Sequence, residues 1–257
     1  MRAAVVGADG RYEVVAVPDP SPGPGELLLR VTACGLCGSD LKARAAMPTG
    51  TIMGHEFCGE IVGVGAGTTG WDEGRHVAVL PVLACGQCER CASGQVAHCP
   101  SARMIGLGGS AGGFAELAVV TPPAAFPLPP GVDPIHGALV EPFAVGLHCV
   151  RTAGLRRGDD VLVVGAGTVG LTTIAWARCQ GARRITAVDS VAPRRAAAQS
   201  FGATDVLAAA EAAAPGGYDI AVDCAGRPGL LERAMDRIHA RRSGPPSDGQ
   251  ITNEGGG

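Results

Sequence analysis

The sequence lacks an excess of either charge. Its 21 Lys and Arg stand against 24 Asp and Glu, for a formal net charge of -3, and that balance gives no reason to expect a nucleic acid or an anionic membrane as partner. It lacks any apolar run approaching the roughly 18 residues that span a bilayer. The opening MRAAVVGADGRYEVVAV lacks the basic, apolar and cleavage regions of a signal peptide, so a cytoplasmic location is expected. Lysine is nearly absent as well. Lys42 is the single lysine in a chain rich in Ala, Gly and Arg, which reads as the codon bias of a G- and C-rich genome. What is present is ample apolar material: 46% hydrophobic and 18% charged residues over 257 positions suffice for one large domain or two modest ones with a real core. Ten cysteines are many for disulfides in a reducing compartment. Cys85, Cys88, Cys91 and Cys99 crowd into one short run, so spacing matters more than the total.

The two halves follow different patterns. Up to about residue 140, short apolar or alternating runs (ELLLRVTACG, FCGEIVGVG, RHVAVLP, FAELAVV) are cut by Gly- and Pro-rich segments. This predicts an irregular β-barrel-like domain whose loops carry function. In the second half, DVLVVGAG, RITAVDS and YDIAVDCAG read as buried strands separated by helix-like stretches. Such alternation implies a doubly wound parallel sheet. GALVEPFAVGLHCVRTAG reads as the joining helix. The expected division is 1–142, 143–242, and a tail over 243–257 whose near lack of apolar residues reads as disorder.

Cys85-Gly-Gln-Cys88-Glu-Arg-Cys91, followed by Cys99, is the sharpest local signal. Four thiolates this close, read as having no helix between them, suit one tetrahedral zinc with no open position and hence a structural role. An iron–sulfur cluster and unliganded surface cysteines are the competing readings. His98 reads as a surface residue beside Cys99. A second group joins Cys37-Gly-Ser39-Asp40 to Gly54-His55-Glu56. Thiolate, imidazole and carboxylate offer three ligands that leave a zinc one open position, and Asp40 is suited to accept the other ring N–H of His55. Cys34 and Cys37 also form a C-x-x-C pair, but without the βαβ context of a redox motif.

Val161-Leu-Val-Val-Gly165-Ala-Gly167-Thr168-Val169-Gly170 places G-x-G-x-x-G directly after a strand and at the start of a helix, the context that gives the motif meaning. Gly165 permits the tight turn, Gly167 the approach of a pyrophosphate to backbone, and Gly170 close helix packing. The helix N-terminus, opened by Thr168, would carry the pyrophosphate. Asp189 ends the next strand, where its carboxylate can accept from an adenosine ribose and repel a 2′-phosphate, favouring NAD over NADP. Arg194 lies close enough in sequence to bear on that choice, either by stacking on adenine or as a solvated helix start.

In their order, the Cys37-Gly-Ser-Asp, Gly-His55-Glu56, four-cysteine and Val-Glu141-Pro-Phe motifs resemble the zinc-dependent medium-chain dehydrogenases, nearest to their sorbitol, threonine and butanediol branch. The resemblance covers about residues 1–240. It implies a GroES-like β-barrel catalytic domain and a Rossmann domain, structural and catalytic zinc, NAD, and a small secondary alcohol or polyol as substrate. By that resemblance Cys37, His55 and Glu56 ligate the catalytic zinc, and Glu141 sits at the metal or holds its water, exchanging with Glu56. Ser39 begins the proton relay, Lys42 stands where many relatives carry a relay His, Val169 packs on the cofactor, and Arg194 is compatible with NAD. Ala43 stands where sorbitol-oxidising relatives place a Tyr, which argues against sorbitol itself. The sequence supplies four recognisable strands of the six in a complete dinucleotide fold. The fourth is therefore expected to be an unpaired apolar edge, the homo-oligomer typical of relatives is not expected, and the alternative is an inactive zinc- and nucleotide-binding fragment.

Overall fold

Strands β1 (Arg2–Val6) and β2 (Tyr12–Ala16) pair as an antiparallel hairpin in the computed structural model of the chain, which describes residues 1–238 and Gln250–Thr252. The chain divides into two units, Met1–Glu141 and Pro142–Gly257. In the first, β3 (Leu27–Gly35) and β4 (Glu56–Val64) form the centre of a sheet. Between them lie the helix α1 (Gly38–Ala43) and a 3-10 turn, Arg44–Ala46. Strand β5 (His76–Val79) follows, then the ribbon of β6 (Val82–Leu83) and β7 (Arg103–Met104), which brackets the cysteine run, and finally β8 (Leu117–Val120) and β9 (Ala125–Pro127). The five-stranded order is β8-β3-β4-β5-β9, antiparallel throughout. Alternation sets the buried face: Leu27 and Leu29, Phe57 and Ile61, Val77 and Val79, and Ala118 and Val120 share one core. The register of β3 against β4 shifts between Leu28 and Leu29 and again between Val31 and Ala33. Irregularities of this kind bend a strand and re-aim its end, here the ends that carry Gly35 and Glu56.

The expectation that the cysteine run contains no helix is corrected. It holds the single helical turn α2 (Glu89–Ala92) and a 3-10 turn at Val96–His98. Neither turn is long enough for apolar periodicity to reveal it, and the spacing of the cysteines allows a turn between them.

The joining helix α3 (Val140–Thr152) is preceded by a 3-10 segment, Pro134–Leu139, whose entry Asp133 caps by accepting from the Ile135 N–H. In the second unit β10 (Asp160–Val164) is buried at every position, as the central strand of a parallel sheet must be. Helix α4 (Thr168–Cys179), β11 (Arg184–Val188), α5 (Ala192–Phe201), β12 (Asp205–Leu207), β13 (Ile220–Asp223), α6 (Leu230–Met235) and β14 (Gln250–Thr252) follow. The parallel order is β12-β11-β10-β13-β14. Val161 and Val163 pack on one face with Cys149, Val150, Ile174 and Ala177. Leu162 and Val164 pack on the other with Ala210, Ala213, Tyr218 and Ala234. Helices on both faces make the sheet doubly wound.

Strand β13 is therefore not an unpaired edge, because β14 hydrogen-bonds along it in parallel. A short edge strand pairs through backbone N–H and C=O groups, so polar composition did not announce it. The rest of the expected disordered tail lies outside the described residues.

Candidate metal centres and nucleotide turn

In the cysteine run, one ligand atom from each of Cys85, Cys88, Cys91 and Cys99 lies within 4.8 Å of all the others. The Sγ atoms of Cys88 and Cys91 are 3.4 Å apart and those of Cys85 and Cys91 are 3.9 Å apart. All ten cysteines are free thiols. A tetrahedron with Zn–S bonds of about 2.3 Å has edges of about 3.8 Å, so these separations fit a shared ion and are far too long for a disulfide. Two of these thiols are shifted in opposite directions. Backbone N–H groups of Gln87 and Cys88, then neighbouring thiols, bring Cys85 down to about 6. Desolvation, then the thiols of Cys88, Cys99 and Cys85, push Cys91 up to about 12.

The second cluster forms where the ends of β3 and β4 meet. Cys37 precedes α1, and its N–H donates to Asp40 Oδ2 at 2.8 Å. His55 and Glu56 enter β4 after Gly54, which sits at a φ of 95°. A Cβ at position 54 would lie 2.6 Å from the Phe114 ring and 2.8 Å from Cys34 Sγ, so only glycine delivers His55 there. Ligand atoms of Cys37, His55 and Glu56 lie within 4.8 Å of one another, with His55 and Glu56 buried. The Glu56 carboxylate folds over bare backbone: a Cβ at Gly35 would come 2.2 Å from Oε2. Asp40 is fully buried and its Oδ1 faces His55 Nδ1 at 3.3 Å, without the alignment of a hydrogen bond. This leaves His55 Nε2 for a metal. A thiol, an imidazole and a carboxylate converging from three directions in a buried site fit zinc.

The donor groups perturb one another. Burial lowers His55, but its contacts with Asp40 and Cys37 outweigh burial and push it up to about 10. Burial raises Glu56 against the opposing pull of Cys37 and His55. Glu141, in the first turn of α3, is not part of the three-ligand cluster. It is raised to about 6, chiefly by burial, with His55 lowering it and Glu56 and Asp40 raising it. The Ser39 hydroxyl is buried with no hydrogen-bond partner among the described residues. Lys42 is exposed on α1. Cys34, which the sequence left aside, packs beside the ligand loops, where burial raises its thiol far above the ordinary range; it acts there as a small apolar filler.

In the second unit the Gly165 turn has a φ of 96°, and a Cβ at Gly170 would lie 1.9 Å from the Gly165 carbonyl oxygen. The turn and the first turn of α4 can therefore close only on bare backbone. Around Gly167 the space is open, with nothing within 4 Å of a built Cβ. Thr168 and Val169 begin α4 at that opening. Asp189 is buried to 9% exposure, and its carboxylate accepts from the N–H groups of Ala166 at 3.0 Å and Val191 at 2.8 Å. Arg194 approaches Asp189 Oδ2 at 3.8 Å, while Arg195, missed by the sequence reading, donates to the Asp189 carbonyl at 2.7 Å.

Comparison with known proteins gives this geometry a family. The model of the alcohol dehydrogenase GroES-like domain matches residues 23–130, and that of the zinc-binding dehydrogenases matches 168–241. The chain is 32% identical over 260 residues to sorbitol dehydrogenase of Bacillus subtilis (strain 168), an alignment covering 95% of this chain and 73% of the relative. The chain belongs to the zinc-dependent medium-chain dehydrogenase family. Within it, L-galactonate-5-dehydrogenase of Escherichia coli (strain K12) is 42% identical over 180 residues, or 68% of this chain. The alignment spans about half of that relative, 52% of its length. A zinc-binding dehydrogenase from Sinorhizobium meliloti 1021, solved with NADP bound, superposes with a TM-score of 0.86 at 34% identity, covering 93% of this chain and 74% of that one. The fold is the family's, a GroES-like domain followed by a Rossmann-type parallel sheet. No helix among the described residues is long and apolar enough to cross a membrane.

Proposed function

We propose that this dehydrogenase-family chain is a cytoplasmic, zinc-dependent oxidoreductase that transfers a hydride from a secondary alcohol or polyol to NAD. The observation that carries the reading is the three-ligand convergence of Cys37, His55 and Glu56, which leaves a metal one open position for substrate. A zinc bound there supplies a Lewis acid that lowers the pKa of the substrate hydroxyl, and NAD supplies the hydride acceptor. Cys37, His55 and Glu56 hold the metal, and Asp40 keeps the His55 ring turned so that Nε2 faces it. Ser39, whose hydroxyl is buried without a partner among the described residues, would begin the proton relay, passing on its own hydroxyl proton as it takes the substrate's, with Lys42 standing where many relatives carry a relay His. Glu141, a carboxyl raised to about 6 chiefly by burial, would sit at the metal or hold its bound water, exchanging with Glu56. Gly165, Gly167, Thr168, Val169 and Gly170 present backbone to the pyrophosphate.

Asp189 favours NAD through its charge, and Arg194 beside it tempers that preference. Polyol and sugar-acid dehydrogenases among the relatives support a polyhydroxylated substrate, while Ala43 still argues against sorbitol. Ten free thiols suit a reducing compartment. The test is NAD reduction by zinc-loaded, monodisperse protein over a panel of secondary alcohols, polyols and sugar acids. NADH formation that His55→Ala abolishes is expected, with slower reduction of NADP. Turnover equal in the His55→Ala variant, or faster with NADP, overturns the corresponding part of the reading.

A further inference from the structure

We infer that Tyr12 is a positioning residue for the three-ligand metal centre, an inference that rests on the zinc reading above. Tyr12 lies on β2 of the N-terminal hairpin, far in sequence from any ligand, yet its side chain reaches both segments that supply ligands. Its hydroxyl is 3.1 Å from the Asp40 carbonyl oxygen and 3.3 Å from Met53 Sδ. One O–H proton is thus shared between the segment that begins at Cys37 and the segment that leads into His55.

The ring makes the second connection. It meets Phe114 edge-on, with centroids 5.6 Å apart and planes at 87°. Phe114 in turn covers Gly54, the residue before His55, at a distance that would place a Cβ 2.6 Å from its Cδ1. The hairpin is anchored to the same helix by Arg44, which donates from Nη1 to the Gly10 carbonyl at 2.6 Å. Gly10 passes so close to the 3-10 turn that a Cβ there would lie 3.3 Å from Ala45 Cα.

Cys37 and His55 belong to separate elements, and Asp40 links them from inside the site through the Cys37 N–H and the His55 ring. Tyr12 holds the outside of the same two loops. Ligands must be held to roughly 0.5 Å for a site to keep its metal, so removing the shared hydrogen bond loosens the pair and speeds release of the ion. Among the described residues, the hydrogen bonds and ring contact of Tyr12 go to Asp40, Met53 and Phe114 and not to the lobe of Cys85, Cys88, Cys91 and Cys99.

The experiment follows zinc release from the full-length, zinc-loaded chain into a chromogenic chelator, where the three-ligand site empties fast and the four-cysteine lobe slowly. Tyr12→Phe keeps the ring contact with Phe114 and deletes only the hydroxyl. It is expected to speed the fast phase about fivefold, the scale of one hydrogen bond, with the slow phase unchanged. Tyr12→Leu, which also loses the ring, should speed it further. An unchanged fast phase in Tyr12→Phe overturns the inference, and so does equal acceleration of both phases, which marks general loosening of the fold. His55→Ala distinguishes the underlying reading: it must remove the fast phase altogether. If the fast phase survives His55→Ala, the zinc assignment falls and the role of Tyr12 falls with it.

Discussion

Asp40 shows what a single residue contributes. A carboxylate with no exposed surface persists only where its oxygens are used. One oxygen takes the Cys37 N–H and the other faces the His55 ring. Asp40 thus touches both the Cys37 backbone and the His55 ring without belonging to the three-residue cluster. Asp40→Asn keeps the shape but replaces an acceptor with an N–H₂ donor on one side. Loss of such a supporting partner costs about 10- to 100-fold in metal affinity. That loss is expected at the three-ligand site alone, measured by competition with a chelator of known affinity. Affinity within a factor of two of the parent chain would exclude this role for Asp40.

Among the elements, the unit of β10, the GAGTVG turn and α4 is the most constrained. Its strand is buried throughout, and its turn places Gly170 against the Gly165 carbonyl. Asp189 then ties the turn to the end of β11 through the Ala166 N–H. The same side chain thus braces the glycine turn and is the one proposed to meet the ribose. Gly170→Ala must push α4 away from the turn, because the clash is with backbone and cannot be relieved by a rotamer. Overpacking of this kind costs roughly 1–3 kcal/mol. Chemical denaturation should show that loss, and calorimetric titration should show NAD binding abolished. Native-like NAD affinity in Gly170→Ala would mean that the turn has more room than its geometry indicates.

At the scale of the whole molecule, two candidate metal clusters of different donor chemistry lie within Met1–Glu141. The four-thiol lobe has every tetrahedral position filled by protein, and such a site contributes directly to folding. Under the function proposed above, the Cys37, His55 and Glu56 site would leave one position for substrate. Elemental analysis of the intact protein should therefore give two zinc ions per chain. Cys88→Ser should lose one of them and melt at a lower temperature, whereas His55→Ala should lose the other with a smaller change in melting. If both variants lost the same ion and the same stability, the division between structural and catalytic sites would be wrong.

Each candidate cluster was legible in the sequence because short-range spacing and donor chemistry point to it: Cys85 to Cys99 lie within one loop, and Gly-His-Glu leads into a strand. The strand–turn–helix of the nucleotide motif was legible for the same local reason, as was the doubly wound sheet, whose strands are continuous apolar runs. Contacts made by backbone or across long separations were not. Strand β14 pairs through peptide groups, which any residue carries, and so its polar composition concealed it. The bracing of the glycine turn by Asp189 became visible only once β11 ended beside the Ala166 N–H. Tyr12 reached Asp40 and Met53 only because the N-terminal hairpin folds back onto α1. Sequence by itself determined which atoms can bind a metal or a nucleotide. Tertiary structure alone decided what holds those atoms in place, since support comes from residues that proximity along the chain does not relate.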